Sequence, residues 1–173
     1  MTARWRPMRA ANLPAVATLA DRVHVEHPEA PAVFAERLDL FPAGCFTLAQ
    51  GAAVIGYAIA HPARSDAPPA LNTMLGKLPD DADCLYLHDI ALAPEARHQG
   101  HGADLLARMV ELARQHGLAN LALIAVSGSG PFWRRLDFRP CENASISRKL
   151  ASYGAEAAYM VRRLTRTKMP DGL

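Results

Sequence analysis

The stretch LYLHDIALAPEARHQGHGA, residues 85–103, decides the fold. Residues 85–93 form an apolar run typical of a buried strand, and Pro94 ends it because proline cannot donate a hydrogen bond to a neighbouring strand. A loop with two glycines follows, and residues 103–117, ADLLARMVELARQHG, carry apolar side chains at helical spacing. The first N–H groups of a helix after such a loop have no internal partner, and with the helix dipole they favour an anion, most often a phosphate. The stretch therefore predicts a strand, an anion-binding loop and a helix.

Two familiar phosphate-binding loops do not fit this sequence. A Walker loop requires Gly-Lys-Ser/Thr after its spacer, and neither a lysine nor a hydroxyl residue follows Gly102. A dinucleotide-binding loop requires a third glycine and an acidic residue at the end of the next strand. Asp104 and Leu105 occupy the place of that glycine, and Val126 and Ser127 close the next strand. The loop therefore indicates another phosphate-bearing ligand.

The loop does fit the pattern Arg/Gln-x-x-Gly-x-Gly, with Arg97, Gly100 and Gly102 in the fixed positions. Because it follows a strand that ends in Ala-Pro-Glu and precedes a leucine-rich helix, it resembles the loop of the GNAT superfamily, the acetyl-CoA-dependent N-acetyltransferases. A second region, VSGSGPFWRRLDFRP at residues 126–140, resembles the later motif of that family, a strand, a turn and a helix that ends in Leu-Gly-Phe. Asp137 takes the glycine position here, at a helix end where a left-handed residue is usual.

The rest of the chain predicts a mixed α/β fold. Further strands are expected at residues 4–9, 46–49, 54–60, 120–126, 138–141 and 157–164, with two helices after the first strand and a short helix, PFWRRL, after Gly130. A strand, a helix and a strand over residues 85–126 require a parallel crossover, so the sheet contains a parallel pair. The resemblance implies the acyl-CoA N-acyltransferase fold: a mixed, mostly antiparallel central sheet with a splayed parallel strand pair and helices on both faces.

We expect a single domain over residues 1–173, with a long loop excursion at residues 61–84 and a C-terminal tail at residues 165–173. The formal net charge of +2 is too small to indicate nucleic acid, and no apolar stretch is long enough to indicate a membrane. Three widely spaced cysteines favour reduced thiols, and the first residues lack an apolar leader, so a cytoplasmic location is expected. The oligomeric state is left open, a homodimer included.

The resemblance implies acetyl-CoA as a cosubstrate. In the family the two parallel strands splay apart, and the pantetheine arm pairs with the main chain of the first, which corresponds here to Ile90, Ala91 and Leu92. The pyrophosphate is expected on the N–H groups of residues 98–103, where the two glycines let the backbone approach it. The coenzyme-binding residues that the resemblance implies are Ile90, Ala91, Leu92, Arg97, His98, Gln99, Gly100, His101, Gly102, Ala103, Ser127 and Phe132.

The implied reaction is direct transfer of the acetyl group to an amine, which must first lose a proton. His88 and Asp89 are the candidate bases, because some relatives carry histidines or an acid on this strand and histidine titrates near neutrality. As neighbours in a strand they face opposite sides unless a bulge intervenes. A main-chain N–H near Leu92 is the expected oxyanion donor. Trp133 stands where many relatives have a tyrosine acid, and its indole can donate a hydrogen bond but cannot act as an acid.

These site residues also have structural alternatives. A histidine or aspartate at a strand end is more often a hydrogen-bonded structural residue than a catalytic one, which is the alternative for His88 and Asp89. His24, Glu26 and His27 either line an acceptor cleft or form an exposed helix end. Two His-x-x-His spacings are present, but no cysteine pair or HExxH motif accompanies them, so no metal is expected.

Three functions are open at this point. The leading hypothesis is an N-acetyltransferase that moves an acetyl group from acetyl-CoA to a primary amine of a small molecule by direct attack in a ternary complex. Tryptophan at the tyrosine position also fits a non-catalytic acyl-CoA-binding module or sensor. An open peptide groove would favour acetylation of a protein lysine or N-terminus, whereas the excursion at residues 61–84 would cover such a groove. No pattern in the sequence identifies the acceptor.

Overall fold

A computed structural model describes residues 2–142 and 144–164 of the chain. The strands are β1 (Arg4–Pro7), β2 (Cys45–Gln50), β3 (Ala53–Ala63), β4 (Cys84–Leu92), β5 (Asn120–Ala125), β6 (Arg139–Pro140) and β7 (Ala158–Arg163). The α-helices are α1 (Leu13–Val23), α2 (Pro31–Leu40), α3 (His101–Gln115), α4 (Gly130–Arg135) and α5 (Ala144–Leu150). The predicted tail, residues 165–173, lies outside the described residues.

These strands form one sheet in the order β1-β2-β3-β4-β5-β7-β6. Neighbouring strands are antiparallel except β4 and β5, which are parallel and are joined through α3. The strand β1 lies at one edge, where Pro7 needs no N–H for a second neighbour. The predicted class, a mixed and mostly antiparallel sheet with one parallel pair, is confirmed.

The parallel pair separates soon after it begins. Pairing between β4 and β5 covers Cys84 with Asn120, Leu85 with Leu121 and Tyr86 with Ala122, and it ends there. The strand β4 nevertheless continues to Leu92, held on its other side by β3, while β5 continues against β7. The two strands therefore diverge into a gap, which is the splay that the fold class predicts.

Helices cover both faces of the sheet. Successive residues of β3 alternate between two hydrophobic clusters, because side chains along a strand point to opposite faces. Tyr57 and Ile59 lie in the cluster that contains α1 and α2, whereas Ala58 and Ala60 lie in the cluster that contains α3. The buried face of α3 consists of Leu105, Leu106, Met109, Leu112 and Ala113.

The loop excursion is shorter than predicted. The strand β3 continues to Ala63, so the segment before β4 is residues 64–83. This extension arises because Pro62 pairs with Leu85 in β4. Pairing of β3 with β2 has already ended at Ile59, so the missing N–H of Pro62 removes no bond on that side.

The helix α3 begins earlier than predicted, at His101 rather than Ala103. Gly100 has a left-handed φ of 84° and acts as the N-cap, so the turn is complete before residue 101. Gly117 ends the helix at a φ of 68°, and Asp137 has a φ of 65° after α4, both as expected for left-handed helix ends. The helix α5 occupies residues that the sequence pattern left unassigned.

The cysteines are free thiols, with Cys45 and Cys84 buried and Cys141 exposed. Burial raises the pKa of both Cys45 and Cys84 to about 12, which keeps them protonated at neutral pH. None of the helices in the described parts of the chain has the length and hydrophobicity to span a bilayer.

Gly44, in the short turn before β2, is expected to be essential for close packing against β3. A Cβ at this position would lie 2.1 Å from the carbonyl oxygen of Ala60 and 2.8 Å from Cδ1 of Phe41. Gly44→Ala should therefore lower the free energy of unfolding by about 2 kcal/mol, because the backbone has to move. Urea unfolding measures this. Gly130→Ala, whose added Cβ meets nothing within 4 Å, is the control, and equal stability of the two variants would contradict the packing argument.

Candidate active site

The gap between β4 and β5 opens into a cleft of about 770 Å³, which we call the central cleft. Its walls are residues 87–92 of β4, the loop and first turns of α3, the end of β5, and α4. The connection between α1 and α2, Leu71 and Tyr153 line its far end. Among the predicted site residues, those in the cleft are His88, Asp89, Ile90, Ala91, Leu92, Arg97, His98, Gly100, His101, Gly102, Ala103, Ser127, Phe132 and Trp133.

The loop before α3 presents a row of free backbone N–H groups. His98 has a left-handed φ of 61° and Gly100 one of 84°, whereas Gln99 between them does not have a positive φ. Such an alternation of backbone conformations curves the chain so that its N–H groups converge. The N–H groups of residues 98–102 have no partner among the described residues. That of Ala103 donates to the carbonyl of Gly100 at 3.0 Å, so it is not available as predicted. With the dipole of a 15-residue helix behind it, the loop forms an anion site.

Two side chains of this loop differ from the expectation. Gln99 lies outside the central cleft and donates to the carbonyl of Glu95 at 2.6 Å, so it stabilises the turn instead of facing a ligand. Arg97 lines the cleft, and its Nε donates to the carbonyl of Leu92 at 3.2 Å. The guanidinium therefore ties the loop to the end of β4 while its terminal N–H groups can still reach an anion.

The hydrogen-bonding pattern of β4 decides which main-chain groups face the cleft. The N–H of Ala93 donates to Ile55, and bonded pairs alternate along an antiparallel ladder, so Ala91 pairs with Tyr57. The main chain of Ile90 and Leu92 therefore points away from β3, into the central cleft. Ala91 was expected to offer its main chain to a ligand, and the register turns it towards β3 instead.

A β-bulge places both candidate bases in the central cleft. The β3–β4 register shifts so that Ile59 pairs with Asp89 and Ala60 with Leu87, which leaves His88 as the extra residue. Side chains of adjacent residues normally face opposite sides of a sheet, but here both His88 and Asp89 line the cleft. The sequence allowed for this arrangement only if a bulge interrupts the strand, and the structure has that bulge.

Both carboxylate oxygens of Asp89 have a close polar neighbour. The hydroxyl of Tyr57 donates to Oδ2 at 2.5 Å, and Nε2 of His24 lies 2.8 Å from Oδ1. Burial lowers the pKa of His24, but the hydrogen bond and charge of Asp89 outweigh this, and the pKa is raised overall. Burial and the same carboxylate raise the pKa of Tyr57 well beyond the physiological range, so it stays a neutral donor.

His88 is deeply buried beside a second carboxylate. Its Nε2 lies 2.9 Å from Oε1 of Glu29, and the two side chains are only 2% and 5% exposed. The other oxygen of Glu29 accepts the N–H of Asn72 at 3.0 Å. The contact between His88 and Glu29 is close but is not aligned as a linear hydrogen bond, and Nδ1 of His88 is buried with no partner among the described residues.

Aromatic rings form the opposite wall. Trp133 in α4 packs edge-on against Phe132 and Phe138, with ring centroids 5.0 Å and 5.4 Å away. The tyrosine that reaches the central cleft is Tyr153, in the turn after α5, where its hydroxyl donates to Pro69 at 3.2 Å. Burial raises the pKa of Tyr153 to about 12, so this phenol can donate a hydrogen bond but is a poor acid near pH 7.

Residues 64–83 cross the far end of the cleft, and we call this segment the strap. It is bonded to α2 on one side, where Arg37 donates to the carbonyl of Thr73 at 2.7 Å and Glu36 accepts two of its N–H groups at 2.9 Å. On the other side Lys149 donates to the carbonyl of Pro68 at 2.9 Å. Contacts on both sides hold the strap across the cleft.

Several functional side chains were not recognised from the sequence. Glu29, Tyr57, His61 and Tyr153 reach the site or its border through contacts between distant segments, and no local motif marks them. The sequence placed His24, Glu26 and His27 either in an acceptor cleft or at an exposed helix end. His24 and His27 line the central cleft. Glu26 lines a smaller adjoining pocket of about 400 Å³. Among the described residues no group of three or more His, Cys, Asp or Glu could hold a metal ion.

The geometry defines a class of protein: a sheet whose splayed parallel strands open a cleft onto an anion-binding helix N-terminus. The model of the acetyltransferase (GNAT) family matches residues 12–138. The chain therefore belongs to the GNAT acetyltransferase family. No curated protein is similar enough in sequence to count as a match.

Solved structures share this fold over almost the whole chain. The GNAT-like decarboxylase GphF in complex with isobutyryl-CoA is 19% identical, with a TM-score of 0.74 over 94% of this chain and 100% of that one. The ribosomal-protein-S18-alanine N-acetyltransferase of Escherichia coli is 18% identical, with a TM-score of 0.64 over 98% and 99% of the two chains. The N-acetylglutamate synthase of Neisseria gonorrhoeae, solved with coenzyme A and N-acetyl-glutamate, is 21% identical, with a TM-score of 0.69 over 96% of this chain and 36% of that one. Because these proteins are named for different reactions, the fold does not identify the acceptor of this one.

The buried His61 should make stability depend on pH. Burial, with the nearby His88, lowers the pKa of His61 to about 3, against about 6.5 in the unfolded chain. His61 therefore binds a proton in the unfolded state but not in the folded state over this range. The free energy of unfolding falls as the pH drops from 6.5 towards 3. At pH 5 the loss is about 2 kcal/mol.

His61→Phe should remove this loss, because phenylalanine fills a similar volume and does not titrate. Urea unfolding at pH 7 and pH 5 measures the difference. His98→Asn, at an exposed loop position, is the control and should keep the pH dependence of the wild type. The interpretation is wrong if His61→Phe loses as much stability on acidification as the control.

Proposed function

We propose that the protein transfers an acetyl group from acetyl-CoA to the primary amine of a small molecule, by direct attack in a ternary complex. The observation that carries this proposal is one continuous cleft that joins two chemically different ends. One end is a row of free N–H groups at the start of α3, suited to a diphosphate. The other holds two pairs of imidazole and carboxylate groups, suited to removing a proton from an amine.

The coenzyme would run along the free side of β4. Its pyrophosphate would accept hydrogen bonds from the N–H groups of residues 98–102. Its pantetheine arm would pair, as an added strand, with the main chain of Ile90 and Leu92. The carbonyl of Leu92 accepts a hydrogen bond from Arg97, and the main chain of Ile90 already has a hydrogen bond with His24. The N–H groups of Ile90 and Leu92 are therefore the groups left for a ligand. The N–H of Leu92 is the proposed donor to the oxyanion of the tetrahedral intermediate.

The charges at the far end of the cleft favour an acceptor that is a small cation. Arg97 belongs to the phosphate loop, and apart from it no lysine or arginine among the described residues lines the central cleft. An acceptor carboxylate would therefore meet no lysine or arginine there, whereas Glu29 and Asp89 favour an ammonium group. The strap crosses this end and is bonded on both sides, which leaves room for a small molecule rather than an extended peptide.

The chemistry follows from these placements. An ammonium acceptor gives one proton to a base in the cleft, and its lone pair attacks the thioester carbonyl. Collapse of the tetrahedral intermediate breaks the C–S bond and releases the second proton from nitrogen, so the products are an amide, CoA thiol and one proton on the base. Trp133 can contribute a hydrogen bond to the departing sulfur but no proton, and a thiolate leaves adequately without one.

A second function is favoured by Trp133 itself. Without a tyrosine acid on α4, the cleft would also suit a non-catalytic acyl-CoA-binding module. Such a module would bind the coenzyme with the same residues, so the two functions differ in turnover and not in affinity.

Gly102→Leu should weaken CoA binding at least tenfold, because the new side chain would fill the first turn of α3 where the diphosphate is proposed to lie. Isothermal titration calorimetry with CoA measures the dissociation constant. The matched control is Ala107→Leu on the exposed face of the same helix, which should leave affinity unchanged. Unchanged affinity in a folded Gly102→Leu protein, or no CoA binding by the wild type, would refute the placement.

Release of free CoA thiol from acetyl-CoA across a panel of amines tests the reaction. We expect turnover with small amines that lack a carboxylate, and much lower kcat/KM for the matching amino acids. Tight CoA binding with no turnover on any amine would favour the non-catalytic module. Labelling of lysate proteins by radioactive acetyl-CoA, with no turnover of small amines, would favour a protein acceptor.

A further inference from the structure

Neither ring nitrogen of His88 makes an aligned hydrogen bond among the described residues, although Nε2 lies close to Glu29. Nδ1 of His88 is buried without a hydrogen bond among the described residues, although the side chain is only 2% exposed. An unpaired polar atom in the interior costs free energy, so such an atom usually has a partner in the working state. His88 lines the central cleft two residues past Tyr86, the last β4 residue that pairs with β5. The residue with the unpartnered nitrogen therefore lies where the two strands separate.

Glu29 determines which nitrogen of His88 carries the proton. Its Oε1 lies 2.9 Å from Nε2, and at that distance a carboxylate favours a proton on the nitrogen facing it. The proton on Nε2 leaves a lone pair on Nδ1. Glu29 is itself fixed, because its Oε2 accepts the N–H of Asn72, whose side chain in turn accepts the N–H of Ala30.

Asp89 is placed differently although it is the neighbouring residue. Each of its oxygens is engaged, one by the hydroxyl of Tyr57 and the other by His24. A proton taken by Asp89 would go to an oxygen that already has a close donor, whereas Nδ1 of His88 has a lone pair with no partner among the described residues. Its carboxylate is therefore suited to holding His24 and to attracting an ammonium group.

The other ionisable groups around His88 do not compete for the proton. The ring centroid of His61 lies 5.9 Å away, and burial keeps that residue neutral with a pKa of about 3. Tyr86, at 6.3 Å, is a buried phenol whose pKa is raised further by burial. Arg37 is fully buried beneath the strap and is paired with Glu36.

We propose that His88, held in position by Glu29, is the base that accepts the proton of the acceptor amine at Nδ1, and that Asp89 is not. This rests on the proposed acetyl transfer. In the step, the N–H bond of the ammonium breaks, its electron pair stays on nitrogen for attack on the thioester, and the proton moves to Nδ1 to give an imidazolium facing Glu29. The proton then passes to solvent. His88 is the catalytic residue and Glu29 is the positioning residue, a role that no motif in the sequence marks.

Four variants test the assignment through the pH dependence of kcat/KM. His88→Gln should lower kcat at least a hundredfold and remove the loss of activity on acidification. Glu29→Gln should lower kcat about tenfold and keep the acid-side loss, because His88 is still the base but its ring is held less firmly. Asp89→Asn should raise KM for the amine and keep the acid-side loss. Glu111→Gln, an exposed carboxylate on α3, is the control and should match the wild type.

A nitrogen NMR spectrum of the histidines tests the same assignment without turnover. The neutral form of His88 should carry its proton on Nε2, and Glu29→Gln should weaken that preference while the affinity for CoA stays the same. The inference is overturned if the proton is on Nδ1, if Glu29→Gln behaves like Glu111→Gln, or if Asp89→Asn removes the acid-side loss and His88→Gln keeps it. A wild type without any turnover would refute the proposed function, and the spectrum would still decide between the two tautomers.

Discussion

The whole site depends on the point where β4 and β5 stop pairing. After Tyr86 and Ala122 the two strands diverge, and β4 continues with one side bonded to β3 and the other side free. Free main-chain groups at an unpaired strand edge are normally a hazard, since they recruit other strands. Here the edge is lined by α3, α4 and the strap, so a ligand that fits between them can complete the sheet where no other chain can reach.

The bulge at His88 places two ionisable side chains in the opening between the strands. A regular strand would have placed His88 and Asp89 on opposite faces, with one of them beneath the sheet. The extra residue brings both into the central cleft, and each meets a partner from the segment around the end of α1: Glu29 for the histidine and His24 for the aspartate. One irregularity in the ladder therefore provides two carboxylate–imidazole pairs of different character, one buried and one accessible to solvent.

The sequence predicted those features that depend on neighbouring residues. The loop, the turn at Asp137 and the parallel crossover all follow from local chemistry, and the resemblance added the splay. The excursion was predicted as a loop that would cover a groove, but its contacts with α2 and Lys149 could not be predicted in the same way, and neither could the role of Glu29. Glu29 acts through contacts with His88 and Asn72, which are far away in sequence, and nothing in the residues around it sets it apart from an ordinary exposed glutamate. The sequence also left undecided whether a bulge occurs at His88, because the register of a strand is set by its pairing with the neighbouring strand and not by composition.

Burying so many ionisable groups at one end of the cleft carries a cost in stability. Arg37 is completely buried, His61 is kept neutral against its ordinary pKa, and Glu29 is only 5% exposed. Apolar residues would fill that space with less penalty, since a buried charge must be paired before it ceases to be unfavourable. The pairing partners are divided between the sheet, α2 and the strap, so the ions are satisfied only when all three are assembled. The arrangement therefore makes this end of the cleft rigid, and a rigid base with one free lone pair is what the proposed proton transfer would require.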